Sequence, residues 1–165
     1  MEKLHIEPIT LVGIQLPGKT SNADGQSSID CGNLWTRFSG ENVHEKIWGK
    51  ISDDVYAVYY DYEGDHMQPF RYFIGCQVNG DAVPGEGLDK LTIPGGNYMK
   101  IEAKGKIPDC ITDAWTQVWN SNISRRYTFD FEVLVRPART GTTQQCRSVY
   151  PDENAKNIFI RHTGH

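Results

Sequence analysis

Apolar and polar residues alternate along six stretches of this chain, at 4–16 (LHIEPITLVGIQL), 55–62 (VYAVYYDY), 70–78 (FRYFIGCQV), 91–103 (LTIPGGNYMKIEA), 127–135 (YTFDFEVLV) and 157–161 (NIFIR). Their richness in β-branched and aromatic residues predicts strands. Two other segments carry helical spacing. In 30–38 the apolar set is Leu34, Trp35 and Phe38; in 108–121 Ile111, Trp115, Val118 and Trp119 fall at i, i+4, i+7 and i+8. Pro108 suits the first turn of the second helix, where its missing N–H costs nothing. Gly, Pro, Asn and Asp punctuate the rest, most densely in SNADGQSS and NGDAVPGEG.

In order, these segments spell strand, helix, strand, strand, and then the same again, with NGDAVPGEGLDK as the joint. Trp35 and Trp115 occupy corresponding places, 115 − 35 = 80 residues apart. Each half has one amphipathic helix and a few strands, too little to stand alone. The expected fold is therefore α+β: tandem β-α-β-β units related by a pseudo-twofold, sharing one antiparallel sheet with two main helices and a central cleft. The expected organisation is a single domain over 1–165, with a first repeat of about 1–80 and a second of about 88–165.

The stretch FDFEVL, residues 129–134, places Glu132 between Phe131 and Val133. On a strand with one wet face, alternation buries Phe129, Phe131 and Val133 and turns Asp130, Glu132 and Leu134 to solvent. An ionised carboxylate is costly to bury unless something pairs with it, so solvation is the plain reading of Glu132.

Bulk properties narrow the function. The 165 residues carry 21 acidic and 17 basic side chains, a formal charge of −4, with no Lys/Arg cluster, so direct nucleic-acid binding is not expected. No apolar run reaches the roughly 18 residues that span a bilayer. The start MEKLHIEPITLV has neither the basic region nor the apolar core of a leader, and a cytoplasmic location with no membrane partner is expected. Cys31, Cys76, Cys110 and Cys146 form no CxxC pair. The acceptor triplet NIS at Asn122 has no meaning without secretion.

One chemical motif matches letter for letter. GIQLPGKT, Gly13 to Thr20, fits the phosphate-loop pattern G-x-x-x-x-G-K-[ST], and Asp61 could serve as its magnesium-binding residue. That chemistry needs a helix starting at Lys19-Thr20 with its N-terminus facing the anion. The next ten residues, SNADGQSSID, disfavour helix, and Pro17 removes one N–H from the cradle. TSNADGQSSIDC lacks the acidic first and twelfth positions of a calcium loop. The five His show no metal spacing beyond a terminal HTGH. No metal, cofactor or catalytic residue is assigned.

The second half of the chain resembles the GyrI-like family of small-molecule (effector) binding domains. The marks are IPGG-x-Y (Ile93 to Tyr98), Gly105 before the helix, AW-x-x-VW (Ala114 to Trp119), and a strand bearing Phe131 and Glu132. The first half, with GNLWTRF (Gly32 to Phe38), VYAVYYDYEGD (Val55 to Asp65) and YFIGCQV (Tyr72 to Val78), is similar to the integron-cassette and AraC-type effector-binding members. Two features depart from the family pattern. Leu134 stands where members often have Tyr, and 136–150 is long and polar, which blurs the register of the last strand.

The resemblance implies a cleft that accepts flat, hydrophobic, often cationic molecules, with Glu132 meeting the positive charge. Burial penalises the charged carboxylate and an arriving cation reverses the penalty, while aromatic walls add about 0.5–2 kcal/mol per well-placed ring. Superposing YAVYYDY on FDFEVLV makes Tyr59 the counterpart of Glu132, with Ala57, Tyr59 and Asp61 toward the cleft and Tyr56, Val58, Tyr60 and Tyr62 behind. Tyr98 and Tyr72 are further candidate walls. Trp35, Trp115 and Trp119 are candidates too, although Trp at helical spacing serves as readily in a core. The expected function is a stand-alone protein that sequesters or senses lipophilic cations, with any transcriptional role passing through a separate regulatory protein. Two alternatives stand beside it: hydrolysis of small electrophiles with Glu132 as base, and a gyrase-inhibitor-like interaction with a topoisomerase.

Overall fold

In a computed structural model, which describes residues 2–22, 25–64, 68–102, 116, 129–135, 146–149 and 157–163, proline splits both of the long strands expected from alternation. The stretch 4–16 becomes β1 (Glu2–Ile6) and β2 (Ile9–Gln15), parted at Pro8; 91–103 becomes β5 (Asp89–Ile93) and β6 (Gly96–Glu102), parted at Pro94. The pairing nonetheless runs through both breaks in one register. Ile9 faces Ile93 and Ile6 faces Gly96, and 9 + 93 and 6 + 96 are both 102. The two strands thus form one ribbon bent at a shared corner, since Pro cannot donate to the ladder. Gly95 sits inside that corner, where a Cβ would meet Pro8 Cδ at 2.9 Å and the Ile6 carbonyl oxygen at 3.0 Å.

The remaining elements are α1 (Gln26–Gly40), α2 (Val43–Lys46), β3 (Val55–Tyr60), β4 (Arg71–Val78), β7 (Phe129–Val135), β8 (Cys146–Val149) and β9 (Asn157–Thr163). All nine strands belong to one sheet in the order β1-β6-β8-β9-β7-β3-β4-β2-β5. The expected antiparallel sheet is corrected at one strand: β9 runs parallel to both β6 and β7, and the other pairings are antiparallel. β5 and β6 stand seven places apart in this order yet are joined by two residues, so the sheet curls until its ends meet.

Curling divides the core in two. Inside the curl, Leu11, Tyr56, Val58, Phe73, Ile93, Tyr98, Phe131 and Val133 form one buried cluster. On the other face Val12, Ile14, Val55, Ala57, Tyr72, Ile74 and Cys76 pack beneath Leu34 and Phe38 of α1 and Val43 and Ile47 around α2. Strands β2, β3 and β4 contribute alternate residues to the two layers, as strands buried on both faces require. Helix α1 begins at Gln26 after Gly25, in the left-handed region at φ 71°, four residues earlier than the apolar spacing predicts. The predicted helix 108–121 lies outside the described residues, except that Thr116 is helical.

The phosphate-loop match, which the sequence around it already disfavours, fails on geometry as well. Thr20 does not open a helix: its N–H goes to Phe70 O at 2.9 Å and its carbonyl takes the Phe70 N–H at 2.8 Å. Lys19 is held by Glu63 at 3.3 Å and Asp61 at 3.7 Å. Gly13 serves the sheet instead, since a Cβ there would lie 2.0 Å from Ile74 O.

A candidate functional site on the helix-covered face

Strand β7 is paired on one edge with β3 and on the other with β9, and both of its faces are covered. The solvent reading of its acidic residues is therefore overturned: Asp130 and Glu132 are 0% and 3% exposed, beside Phe131 and Val133 at 0% and 2%. Alternation sends Phe131 and Val133 into the curl and Asp130 and Glu132 to the helix side. Two carboxylates thus lie on the face that carries α1.

Tyrosine hydroxyls meet both. β3 lies beside β7 with Ala57 opposite Glu132 and Tyr59 opposite Asp130. Tyr59 donates to Glu132 Oε1 at 2.8 Å. Tyr62, two residues beyond the end of β3, donates to Asp130 Oδ2 at 2.6 Å. Charge-assisted hydrogen bonds of this kind are about twice as strong as neutral ones, and they offset part of the cost of burying the carboxylates.

The rings of these tyrosines continue into a wall. Tyr59 lies 5.7 Å from Phe70 and 5.0 Å from Tyr72 between centroids, and Tyr62 lies 5.5 Å from Phe70. Helix α1 adds Trp35, which donates from Nε1 to the Tyr72 hydroxyl at 2.8 Å and meets Phe38 edge-on at 5.9 Å. Burial, reinforced by the Glu132 charge, holds the hydroxyls of Tyr59 and Tyr72 well above the usual tyrosine range, so both stay protonated donors at neutral pH. One turn before Trp35, burial together with the Glu132 and Asp30 charges pushes the Cys31 thiol up to about 12. The chemistry available here is that of an anionic, aromatic, hydrogen-bonding surface.

Of the residues expected from sequence, the structure brings together Glu132, Tyr59, Tyr72 and Trp35. Tyr98 is placed elsewhere: it lies inside the curl, edge-on to Phe131 at 5.4 Å, with its hydroxyl on Pro94 O at 3.0 Å. Trp115 and Trp119 lie outside the described residues. Asp61 is not on this face. It is half exposed, at φ 53°, and is tied to Arg71 at 3.0 Å and to Lys19. Four residues of the site were missed by sequence reasoning. Asp130 lies two residues before Glu132 on one strand, Phe70 two before Tyr72, and Cys31 one turn before Trp35, so each shared a face with a recognised residue. Tyr62 carried no such signal.

Comparison with known proteins agrees with this architecture. The family model of the integron-associated effector binding proteins (Cass2) matches residues 4–159. Among solved structures, an integron cassette protein from the mobile metagenome of Vibrio cholerae superposes with a TM-score of 0.68 at 24% identity, covering 92% of this chain and 95% of its own. SAV2435, solved bound to tetraphenylphosphonium, superposes with a TM-score of 0.62 at 17% identity, covering 99% of this chain and 93% of its own. No curated protein matches the chain. The match extends over nearly the whole sequence, and the chain belongs to the integron-associated effector binding protein family.

Proposed function

We propose that this protein binds amphipathic, cationic small molecules against the helix-covered face, with Glu132 as the charge that selects them. The observation that carries the reading is Glu132 itself, 3% exposed among Tyr59, Tyr72 and Trp35 and held by the Tyr59 hydroxyl. A carboxylate kept away from water is stabilised by an arriving cation far more than one already solvated, because the attraction acts at low dielectric. Rings on either side accept flat or propeller-shaped apolar groups and contribute cation–π attraction. Membership of an effector-binding family supports small-molecule binding, and the tetraphenylphosphonium bound by SAV2435 supports the cationic class.

The same reading includes a duplicated architecture. Relating Tyr59 to Glu132 requires an offset of 132 − 59 = 73 residues. Val58 stands opposite Phe131 across the β3–β7 pair, and 131 − 58 is also 73, so a twofold axis through that pair would exchange the two strands. The cleft would lie at this axis, within one domain spanning both repeats. A sensing role would pass the signal to a separate regulatory protein.

Titration with tetraphenylphosphonium, followed by tryptophan fluorescence, tests the proposal. Glu132→Gln should weaken binding about tenfold or more, a change of about 1.4 kcal/mol or above. The neutral triphenylphosphine oxide should change less than twofold. Equal losses for the two compounds would overturn charge selection.

A further inference from the structure

Asp130 is as deeply buried as the charge-selecting Glu132. It is 0% exposed, on the same face of β7, and accepts the Tyr62 hydroxyl at 2.6 Å. Two residues along a strand put the carboxylates roughly 7 Å apart, at about 3.3–3.4 Å per residue. The wall Tyr59–Phe70–Tyr62 runs past both of them. At that spacing the two ends of one short ligand can reach both carboxylates.

Thr20 supplies an independent sign of a ligand at this end. It stands directly opposite Phe70 in a bridge with both backbone bonds made, so its side chain leaves the ladder on the same side as the Phe70 ring. Thr20 is 5% exposed, and its Oγ1 is buried with no hydrogen-bond partner among the described residues. Buried hydroxyls are normally satisfied, and an orphan one calls for an explanation. This one flanks the ring that joins the two tyrosine–carboxylate pairs. A hydroxyl there can accept an N–H.

We infer that Asp130, Tyr62 and Thr20 form a second subsite beside Glu132, which takes the far end of a dicationic molecule whose end group carries N–H. The inference rests on the proposed cation site at Glu132 and extends it. Ammonium and amidinium ends suit the second subsite, because each brings both charge and donors. Quaternary ends bring charge without donors. The ligands favoured by the whole site are thus short diamines or bis-amidines built around a flat apolar core.

The test compares p-xylylenediamine with benzylamine, which share one benzene ring and differ in the second ammonium, as competitors against tetraphenylphosphonium. The diamine should bind the wild-type protein about tenfold more tightly or better. Asp130→Asn should abolish that advantage, lowering diamine affinity far more than benzylamine affinity, with retained tetraphenylphosphonium binding as the check that the variant is folded. Thr20→Val should cut the diamine's advantage about threefold and leave a matched bis-quaternary compound unaffected; if Asp130→Asn does not fold, this variant carries the test on its own. A wild-type protein that binds tetraphenylphosphonium in a Glu132-dependent way but shows no diamine advantage overturns the second subsite alone. Failure of tetraphenylphosphonium itself to depend on Glu132 overturns the primary reading. Retention of the diamine advantage in Asp130→Asn, or of its full size in Thr20→Val, also overturns the second subsite.

Discussion

Tyr62 and Asp130 meet at 2.6 Å although strict alternation along the chain from Tyr56 would leave Tyr62 on the opposite face of the sheet. Tyr56, Val58 and Tyr60 do lie toward the curl. The parity changes at Asp61, whose φ of 53° ends the strand and turns the next side chain over. Arg71 and Lys19 hold Asp61 in place from the neighbouring β4 and from the segment after β2. A left-handed residue without a glycine at that position is uncommon, and Asp is among the few side chains that tolerate it.

Backbone conformation, more than the ion pairs, is therefore what position 61 contributes. Its carboxylate is about half exposed, and exposed ion pairs are worth roughly 0–1 kcal/mol. Asp61→Gly keeps the left-handed conformation available, whereas Asp61→Val does not. Urea unfolding should find the Val variant less stable than the Gly variant by about 1–3 kcal/mol. Equal stabilities would show that the ion pairs dominate.

Tyr59 bears on the site more directly. Removing its hydroxyl in Tyr59→Phe leaves the ring contacts with Phe70 and Tyr72 but takes a donor from a nearly fully buried carboxylate. Hydrogen bonds to charged groups contribute about 1.5–3 kcal/mol, so a loss of stability in that range is expected in denaturant titration. A loss below about 0.5 kcal/mol would mean that Glu132 does not depend on Tyr59.

These residues also show how far the sequence could be read. That Tyr59 and Glu132 belong to one site was legible, because both sit on strands whose alternation is plain, but their hydrogen bond was not, since the sequence made them only counterparts across a twofold. Tyr72 followed from the same alternation on β4. Burial of Asp130 was not legible, since alternation says which residues share a face but not whether that face meets water or a helix. Tyr98 misled for a related reason. The kink at Pro94 restarts the strand, and only the curl of the sheet decides that its ring joins Phe131 inside. The start of α1 was hidden by Ser and Asp residues that disfavour helix intrinsically and are overridden by packing of Leu34 and Phe38 on the sheet. Tyr62 depended on a single backbone torsion at Asp61, for which no local pattern exists.

The two glycines of the apparent phosphate loop give a sharp contrast. A Cβ on Gly13 would strike the backbone of Ile74 and Gly75 at 2.0 and 2.5 Å, while Gly18 has no atom within 4 Å of the corresponding position and no left-handed φ. A true phosphate cradle would need both. Gly13→Ala should lose at least about 2 kcal/mol through overpacking, whereas Gly18→Ala should stay within about 0.5 kcal/mol of the parent. Thermal melts of the two variants decide the point, and nucleotide should shift neither.

Cys31 gives the pH dependence of the site. Its thiol is pushed up to about 12 in the folded protein from an ordinary 9.0, by burial first and then by the Glu132 and Asp30 charges. The folded state holds this proton more tightly than the unfolded chain does. The group therefore contributes stability that is fully present below pH 9 and is lost as pH rises toward 12. Tyr59 and Tyr72, raised well above 10, act in the same direction. The melting temperature should fall steadily above about pH 9, and Cys31 should react slowly with iodoacetamide at about pH 8, because only the thiolate is nucleophilic. Glu132→Gln removes the larger of the two charges named, so peptide mapping by mass spectrometry should find faster alkylation at Cys31 in that variant than in the parent. Cys76, buried in the sheet beneath α1, should stay unlabelled in both and serves as the control for unfolding. An unchanged rate at Cys31 would separate the thiol from the Glu132 charge and would contradict the close grouping of α1, β3 and β7 on which the site depends.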